Sequence, residues 1–359
     1  MALPFLNSFG RKKRTRVVSV DLGERVTKAV MIEQRAEVWA LSRFALEDAP
    51  ISDKKISAEL LAEHLKGVLK TLGTDSKTVT LSMGLDDALV RQVDLPQIPV
   101  EEMRLVLKNN SKAYLQQDLP GHVYDFHIFP PKPGMVPKPE EGVKNVALPK
   151  FKVLVAAARQ SLVNDFQSSM RAAGLVGDYM VPGFIGAVNA FELAMPDVFK
   201  NESVALVDIG FKRTSICVLD CGEIALMRVV NMGGDQFTAG LAEMMSISYA
   251  EAEGIKLEMA PEIQSALELQ VLPLGRELRA SLDFFEHQAD RAVSQVYFTG
   301  GSSRSEMILQ MLRSELVVEC KTWNPTSFLQ LNLPGHQTVE IEKSASQLTM
   351  AVGAALAAI

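Results

Sequence analysis

The stretch SVDLGERVTKAV, residues 19–30, decides the fold, because a similar stretch, LVDIGFKRTSICV, stands at residues 206–218. In both stretches apolar and polar residues alternate on either side of an Asp-x-Gly turn, which predicts an antiparallel hairpin. Asp21 matches Asp208, and Gly23 matches Gly210. Each copy then continues into another turn and a third strand. The chain is therefore predicted to contain two related halves.

The composition is typical of a soluble globular protein of more than one domain. The chain has 359 residues, of which 47% are hydrophobic and 22% charged. The 37 basic and 43 acidic residues give a net charge of −6, which argues against a nucleic-acid binder. Three cysteines form no CxxC pair and five histidines lack metal-binding spacing, which favours a reducing cytoplasm and no histidine-bound metal.

The first 16 residues, MALPFLNSFGRKKRTR, form a short apolar segment followed by a basic run. Two interpretations remain open for this tail. It is disordered, or it tethers the chain weakly to anionic lipid, with about 1 kcal/mol from each basic residue near the surface. The sequence contains no apolar run of about 18 residues, so no transmembrane helix is predicted.

The sequence predicts secondary structure for several segments. Residues 57–72 have helical spacing of leucines, with Ser57 as the predicted N-cap and Gly73 as the predicted stop. Residues 261–290 predict a long amphipathic helix interrupted by Pro273. Residues 130–145, rich in proline, glycine and charge, predict a surface loop or linker.

Three turns are predicted to meet at one ligand: residues 21–28, 208–214 and 300–303. Consecutive backbone N–H groups of such turns form an anion-binding concavity, and glycine lets the backbone approach a phosphate closely. An Asp before a turn suits Mg²⁺ bound through water. The alternative is that the two aspartates only shape their turns and that the glycines at 300 and 301 only cap a helix.

The order of these motifs resembles the actin-like ATPase superfamily, and within it most closely the PilM family of type IV pilus assembly proteins. DLGERVTKAV and VDIGFKRTSICVL resemble the family's two phosphate loops, and YFTGGSSRSEMI resembles its adenosine-side motif. Residues 229–256 are similar to its Gly-Gly segment and the helix ending in Ala-Glu-x-x-Lys. Residues 89–115 and 150–175 resemble the extra subdomain shared with the cell-division protein FtsA.

The resemblance implies a two-lobed, duplicated ribonuclease H-like α/β fold with an FtsA/PilM-type extra α/β subdomain. The implied division is a basic tail at 1–16, a first lobe core at 17–88 plus 179–203, an inserted subdomain at 89–178, a second lobe core at 204–228 plus 292–359, and an insertion in the second lobe at 229–291.

The resemblance also implies ATP in the cleft between the lobes, with Mg²⁺ held through water by Asp21 and Asp208. The expected nucleotide-binding residues are Asp21, Gly23, Lys28, Asp208, Gly210, Thr214, Gly233, Gly234, Glu253, Lys256, Gly300, Gly301 and Ser302. No catalytic residue is assigned. The implied partners are the cytoplasmic N-terminal tail of a PilN-like inner-membrane protein and the pilus motor ATPases. The implied location is the cytoplasm, peripheral to the inner membrane through these partners.

The first phosphate loop departs from the family pattern, because Glu24 and Arg25 stand where small hydroxyl residues are usual. A carboxylate about 4 Å from a phosphate charge would cost about 4 kcal/mol at an effective dielectric constant of 20. Phe211, Lys212 and Arg213 similarly replace small residues in the second loop. The chain is therefore expected to be a slow ATPase at most, or a pseudo-ATPase adaptor.

Three further functions belong to other classes of the same fold. A sugar-kinase-like enzyme needs a general base, for which no convincing Asp is found. An FtsA-like filament protein usually has an amphipathic C-terminal membrane helix, and SASQLTMAVGAALAAI lacks a basic face. A type II secretion protein usually continues into a membrane helix, which this sequence does not contain.

Overall fold

The computed structural model describes residues 14–36, 38–50, 56–84, 86–129, 150–258 and 261–359. Residues 1–13 of the predicted tail and the whole predicted loop at 130–145 lie outside these ranges. The strands of the described residues are β1 Arg16–Leu22, β2 Val26–Arg35, β3 Val38–Asp48, β4 Thr78–Met83, β5 Ala88–Pro96, β6 His122–Ile128, β7 Lys150–Arg159, β8 Val176–Pro182, β9 Ser203–Ile209, β10 Thr214–Asp220, β11 Glu223–Val230, β12 Gln295–Thr299, β13 Glu319–Thr322 and β14 Gln330–Leu331.

The helices are α1 Ala58–Leu72, α2 Val100–Leu115, α3 Gln160–Ala172, α4 Gly183–Ala194, α5 Pro196–Asn201, α6 Gly234–Met245, α7 Tyr249–Glu258, α8 Gln264–Ala289, α9 Glu306–Leu316, α10 Gly335–Ser344 and α11 Thr349–Leu356. Short 3₁₀ turns lie at Pro261–Ile263, Ser302–Arg304 and Ala345–Leu348. No helix of the described ranges has both the length and the apolar character needed to cross a membrane.

Two sheets with the same strand order form the body of the molecule. The first runs β14-β3-β2-β1-β4-β8 and the second runs β11-β10-β9-β12-β13. In each, the first hairpin strand pairs antiparallel with the second and parallel with the strand on its other side. Apart from the added edge strand β14, one sheet repeats the other. The predicted duplication is confirmed, and with it the two-lobed α/β fold class.

The repeated hairpins place the two matched aspartates at equivalent positions, each one residue before the end of its strand. Asp21 is opposite Lys28 across the first hairpin, and Asp208 is opposite Ser215 across the second. Residues directly opposite in an antiparallel pair have side chains on the same face and in contact range. The register therefore brings Lys28 to Asp21.

Helices α4 and α11 pack together in the hydrophobic core that joins the two sheets. They cross at two glycines, where a Cβ built on Gly353 would lie 1.6 Å from the carbonyl oxygen of Gly186. A Cβ on Gly186 would lie 2.9 Å from the carbonyl oxygen of Met350. No side chain fits at this crossing, so the backbones themselves are in contact. Gly183 and Met350 in turn reach the cleft between the sheets.

A third sheet, β5-β7-β6, has its own small core with α2. It lies inside the predicted insertion, but Met170 of α3 packs in the core of the first sheet with α1. The domain boundaries stay a prediction. Within them, the structure places β14 beside β3, and α11 against the first sheet, although both belong to the segment assigned to the second lobe. The apolar C-terminal segment is buried there.

Local predictions compare well with the structure at α1 and less well at α8. The Ser57 side chain accepts a hydrogen bond from the Leu60 backbone N–H, and Gly73 ends the helix with φ of 69°. Pro273 does not interrupt α8, which continues from Gln264 to Ala289. Burial of one face of α8, which includes Leu274, offsets the hydrogen bond that the proline removes.

Candidate functional site

The three predicted turns line one cavity of ≈ 790 Å³ between the two sheets. Such a volume lies within the range of small-molecule and cofactor sites. Eleven of the thirteen predicted residues line it. They are Asp21, Gly23, Lys28, Asp208, Gly210, Gly234, Glu253, Lys256, Gly300, Gly301 and Ser302.

The first turn contributes a carboxylate and an ammonium group that are already paired. Lys28 Nζ donates to Asp21 Oδ2 at 2.9 Å. Burial alone would lower the pKa of Lys28, but Asp21, Asp208 and Glu24 together raise it above its ordinary value of 10.5. Lys28 is therefore a permanent positive charge at the bottom of the turn.

The second turn contributes a carboxylate of a different kind. The pKa of Asp208 is raised from 3.8 to about 6, because removal from water and the charge of the neighbouring Asp21 together outweigh the opposing charge of Lys28. One of the two matched aspartates therefore titrates just below neutral pH. A divalent cation at this position would need the ionised form of Asp208.

Glycines set the shape of the cavity wall. A Cβ on Gly300, which has φ of 93°, would lie 2.6 Å from Asp208 Oδ1, and a Cβ on Gly210 would lie 2.8 Å from the Arg213 carbonyl oxygen. These positions need glycine, because the second and third turns are in backbone contact. Gly301 differs, since its Cβ would meet only Gln347 Oε1 at 4.0 Å. Its backbone faces open space, where a flat ligand has room.

A buried ion pair lies on the second-lobe side. Lys256 Nζ donates to Glu253 Oε2 at 2.7 Å, to Thr238 Oγ1 at 2.6 Å and to the Gly234 carbonyl oxygen at 3.2 Å. Burial lowers the pKa of Lys256 and Glu253 opposes the change. The hydrogen bonds from Lys256 and Thr238 lower the pKa of Glu253 against the effect of burial. The pair joins α7 to the N-terminus of α6.

Thr214 and Gly233 are the two predicted residues that lie outside the lining. Thr214 is fully buried at the start of β10, and its hydroxyl donates to the Met232 carbonyl oxygen at 2.8 Å. Gly233 precedes α6, where a Cβ would lie 2.4 Å from the Phe211 carbonyl oxygen. Both residues pack against the second turn on the side away from the cavity.

Contacts between the tips of the two matched turns were not predicted. Glu24 Oε1 accepts from Arg213 Nη1 at 2.7 Å, and Arg25 Nη1 donates to Glu253 Oε1 at 2.9 Å. The guanidinium carbon of Arg25 also lies 5.2 Å from the centroid of the Phe211 ring. Each of these contacts joins the first sheet's turn to the second lobe. The only sequence signal was the presence of charged residues at both tips.

Parts of the lining come from segments without a recognisable motif. Met83 ends β4 and Gly84 follows it. Lys343 lies in the last turn of α10, Gln347 in the 3₁₀ turn at Ala345–Leu348 and Met350 in the first turn of α11. Parallel strands end at the same edge of a sheet, so the end of β4 meets the end of β1. That neighbourhood depends on the strand order, which the sequence alone does not state.

The residues present fit a phosphate-bearing ligand better than a directly ligated metal. No cluster of three or more His, Cys, Asp or Glu suited to a metal ion occurs in the described part of the chain. The carboxylates of Asp21 and Asp208 line the cavity, and Asp21 is already paired with Lys28. They suit Mg²⁺ held through water beside a phosphate, with Lys28 as a second positive charge.

A second cavity of ≈ 460 Å³ lies between the third sheet and the second lobe. Two edge strands border it, β5 with Leu89 and β11 with Met227 and Val229. Phe184 and His122 complete one end. Edge strands have unpaired backbone groups, so this cavity suits an extended peptide.

A duplicated sheet with a cleft lined by three glycine turns defines a protein of the actin-like class. Comparison with solved structures supports this fold. The chain matches the ethanolamine utilization protein EutJ from Carboxydothermus hydrogenoformans with a TM-score of 0.55 and 14% identity, over 96% of this chain and 90% of that one. It matches MreB5 of Spiroplasma citri bound to ADP with a TM-score of 0.53 and 10% identity, over 95% of each chain.

A more similar structure is that of a PilM-PilN type IV pilus biogenesis complex. The TM-score is 0.80 at 22% identity, over 97% of this chain and 99% of that one. The model of the family described as type IV pilus assembly protein PilM matches residues 19–359. The chain belongs to the PilM family of type IV pilus assembly proteins.

Proposed function

We propose that this protein is a nucleotide-responsive scaffold of a type IV pilus machine that recruits the N-terminal tail of a PilN-like inner-membrane protein. The observation that carries the proposal is the pairing of two sites on one fold. The first is a glycine-lined cleft that contains the cation of Lys28, and the second is a groove between two edge strands. In this proposal the scaffold is cytoplasmic and reaches the membrane, and the motor ATPases, through its partners.

The cleft is proposed to bind ATP with Mg²⁺. The charge of Lys28, the acidic pair of Asp21 and Asp208 and the open face of Gly301 support it. MreB5, which shares the fold, has been solved with ADP. Since no general base is assigned in the cleft, any hydrolysis is expected to be slow.

Calorimetric titration of MgATP tests the cleft. Gly301→Leu is the variant of choice, because Gly301 has ordinary helical dihedral angles and its Cβ has free space, so the protein folds while the cleft is filled. We expect affinity to fall at least about tenfold. Gly335→Leu is the matched control, since nothing lies within 4 Å of its Cβ, and it should bind as wild type does. Equal binding by both variants would place the nucleotide elsewhere.

The groove between β5 and β11 is proposed to bind the partner's tail as an extended peptide. The backbone of an edge strand supplies hydrogen bonds and the apolar lining supplies side-chain pockets. The relative in the 22% identical complex was solved with PilN, which supports a partner of that kind for this chain. Strand addition needs no folded partner, so a short tail suffices.

Fluorescence anisotropy with a labelled peptide of the PilN-like tail tests the groove. Leu89→Lys places a charge in the groove and should weaken binding at least about tenfold. Leu105→Lys is the control, because Leu105 lies on α2 in the same subdomain and is 57% exposed. This variant should bind as wild type does. Peptide binding that ignores Leu89→Lys would exclude this groove.

A further inference from the structure

Glu24 occupies the anion-binding position of the second turn. Its carboxylate accepts hydrogen bonds from the Arg213 guanidinium at 2.7 Å and from the Lys212 backbone N–H at 3.2 Å. A turn N–H together with a guanidinium is the donor set that proteins use for phosphate oxygens. A residue of the first turn thus takes donors that the second turn would offer to a phosphate.

Arg213 also pairs with a second carboxylate of the first lobe. Its Nε lies 2.8 Å from Asp86 Oδ2, in the turn between β4 and β5. Two carboxylates of the first lobe therefore share one guanidinium of the second lobe. This pairing leaves Arg213 neutralised before any ligand enters the cleft.

The neighbouring residue makes a parallel contact. Arg25 pairs with Glu253 at 2.9 Å and lies over the Phe211 ring. Every charged side chain at the tip of the first turn is thus engaged by the second lobe. The two tips form one continuous bridge across the cavity, made of Glu24, Arg25, Phe211, Arg213 and Glu253.

The side chains of the bridge are partly exposed to solvent. The side chains of Glu24 and Arg213 are 32% and 36% exposed, and that of Arg25 is 43% exposed. Ion pairs at this exposure are weak, because water competes for both partners. A bridge of this strength links the two lobes and still gives way to a ligand that offers a stronger anion.

We propose that Glu24 is a built-in anion that competes with the phosphates of the nucleotide for Arg213 and the Lys212 N–H. The proposal rests on nucleotide binding in the cleft. In the free protein the carboxylate fills the phosphate position and links the lobes. On binding, the phosphate takes these donors and the carboxylate moves out to solvent, away from the incoming charge.

Competition makes a directional prediction for Glu24→Ala. Without the carboxylate, MgATP should bind about fivefold tighter in calorimetric titration, since it no longer displaces an ion pair. A residue that merely supported the turn would weaken binding when removed. Glu102→Ala, an exposed carboxylate on α2, changes the net charge equally and should leave affinity unchanged.

Hydrogen exchange without nucleotide provides a second measurement. Backbone amides of residues 208–214 should exchange about two- to fivefold faster in Glu24→Ala than in wild type, because the Lys212 N–H loses its acceptor and the lobes lose their link. Glu102→Ala should exchange as wild type does. Unchanged exchange in Glu24→Ala would show that the bridge does not form in solution.

The outcomes separate the two proposals. Tighter binding with faster exchange supports the built-in anion. Equal or weaker binding by Glu24→Ala, with wild type still binding MgATP, overturns the competition and leaves the proposed function intact. No binding by wild type or by Glu24→Ala, even at millimolar MgATP, overturns both the nucleotide site and the competition.

Discussion

The two halves of the molecule share one strand order, but their turns have become partners rather than copies. The first tip has Glu24 and Arg25, and the second has Phe211 and Arg213, and these pair across the cleft. The matched aspartates also differ in surroundings. Asp21 has Lys28 as a hydrogen-bonded partner, whereas Asp208 interacts with Lys28 only through its charge. A duplication thus supplied two similar turns, which now act as complementary sides of one site.

Helices α4 and α11, which join the two halves, have the same residue, glycine, at their point of contact. Gly186 of α4 and Gly353 of α11 meet backbone to backbone, and each excludes a side chain from the other. The tips of the two turns have different residues, whereas the crossing of α4 and α11 requires glycine in both helices. The difference follows from space, because the tips face an open cavity and the crossing is buried.

The helix crossing is expected to give the largest effect. Gly353→Ala should lower the free energy of unfolding by about 3 kcal/mol, since the added methyl forces α11 away from α4. Urea unfolding measures it. Gly67→Ala in α1 is the control, because its Cβ meets nothing within 4 Å, and it should stabilise the protein by about 0.5 to 1 kcal/mol. Unchanged or higher stability of Gly353→Ala would mean that the helices do not touch as described.

The aspartate pair should give the next largest effect. Lys28→Met removes the cation that favours ionisation of Asp208 and leaves the charge of Asp21, which opposes it. The pKa of Asp208 is already raised to about 6 in the folded protein, above its ordinary 3.8. A raised carboxyl pKa means that the folded state binds the proton more tightly, so the penalty appears as pH rises through that pKa.

The variant should therefore lose about 2 kcal/mol more stability at pH 7.5 than at pH 5. Denaturant midpoints of wild type and variant at both values measure the difference. Lys66→Met, at an exposed pair on α1, is the control and should show no such pH dependence. A loss of the same size at both pH values would assign Lys28 to packing alone.

The titration of Asp208 predicts a smaller effect on the proposed nucleotide site. Since only the ionised carboxylate suits Mg²⁺, the increase in ATP affinity caused by Mg²⁺ should fall about tenfold between pH 7 and pH 5, on either side of a pKa of about 6. Titrations with MgCl₂ and with EDTA at each pH give that increase. Asp208→Asn should abolish the pH dependence, and a variant that retains it would exclude Asp208 as the titrating group.

The contact of Arg25 with Glu253 and Phe211 should matter least for stability. Arg25→Ala is expected to cost about 0.5 kcal/mol of unfolding free energy, because the side chain is 43% exposed. Thermal or urea unfolding at low salt measures it. The part that comes from the ion pair should disappear in 1 M NaCl. A cost above about 2 kcal/mol would mean that the bridge is a rigid element instead of a displaceable one.

Sequence patterns were sufficient for the elements that depend on neighbours along the chain. Alternation around Asp21 and Asp208 predicted both hairpins, and Ser57 with Gly73 predicted both ends of α1. The predicted interruption at Pro273 was wrong, because the burial of α8 outweighs the local cost of proline. Local rules give way wherever tertiary packing supplies more free energy than the local preference removes.

Of the thirteen site residues that the motifs predicted, eleven line the cleft and two lie behind the second turn, and the bridge was not predicted. Thr214 and Gly233 belong to the same motifs, yet the alternation of the strand and the packing of Phe211 turn them away from the cavity. Glu24 was expected to repel a phosphate from its own loop. It points instead to Arg213, far along the chain. Sequence spacing does not show which lobe a side chain faces.

The sequence by itself determined that the chain is duplicated, that each half opens with an Asp-x-Gly hairpin, and that glycines and Lys28 stand at the turns. These are properties of residues close together in the chain, whose geometry is set by the backbone. Only the tertiary structure decided that Lys28 is paired with Asp21, that the pKa of Asp208 is raised, and that Glu24 holds Arg213 across the cleft. The physical reason is that burial and charge pairing depend on distances in space, which exist only after the two lobes close on each other.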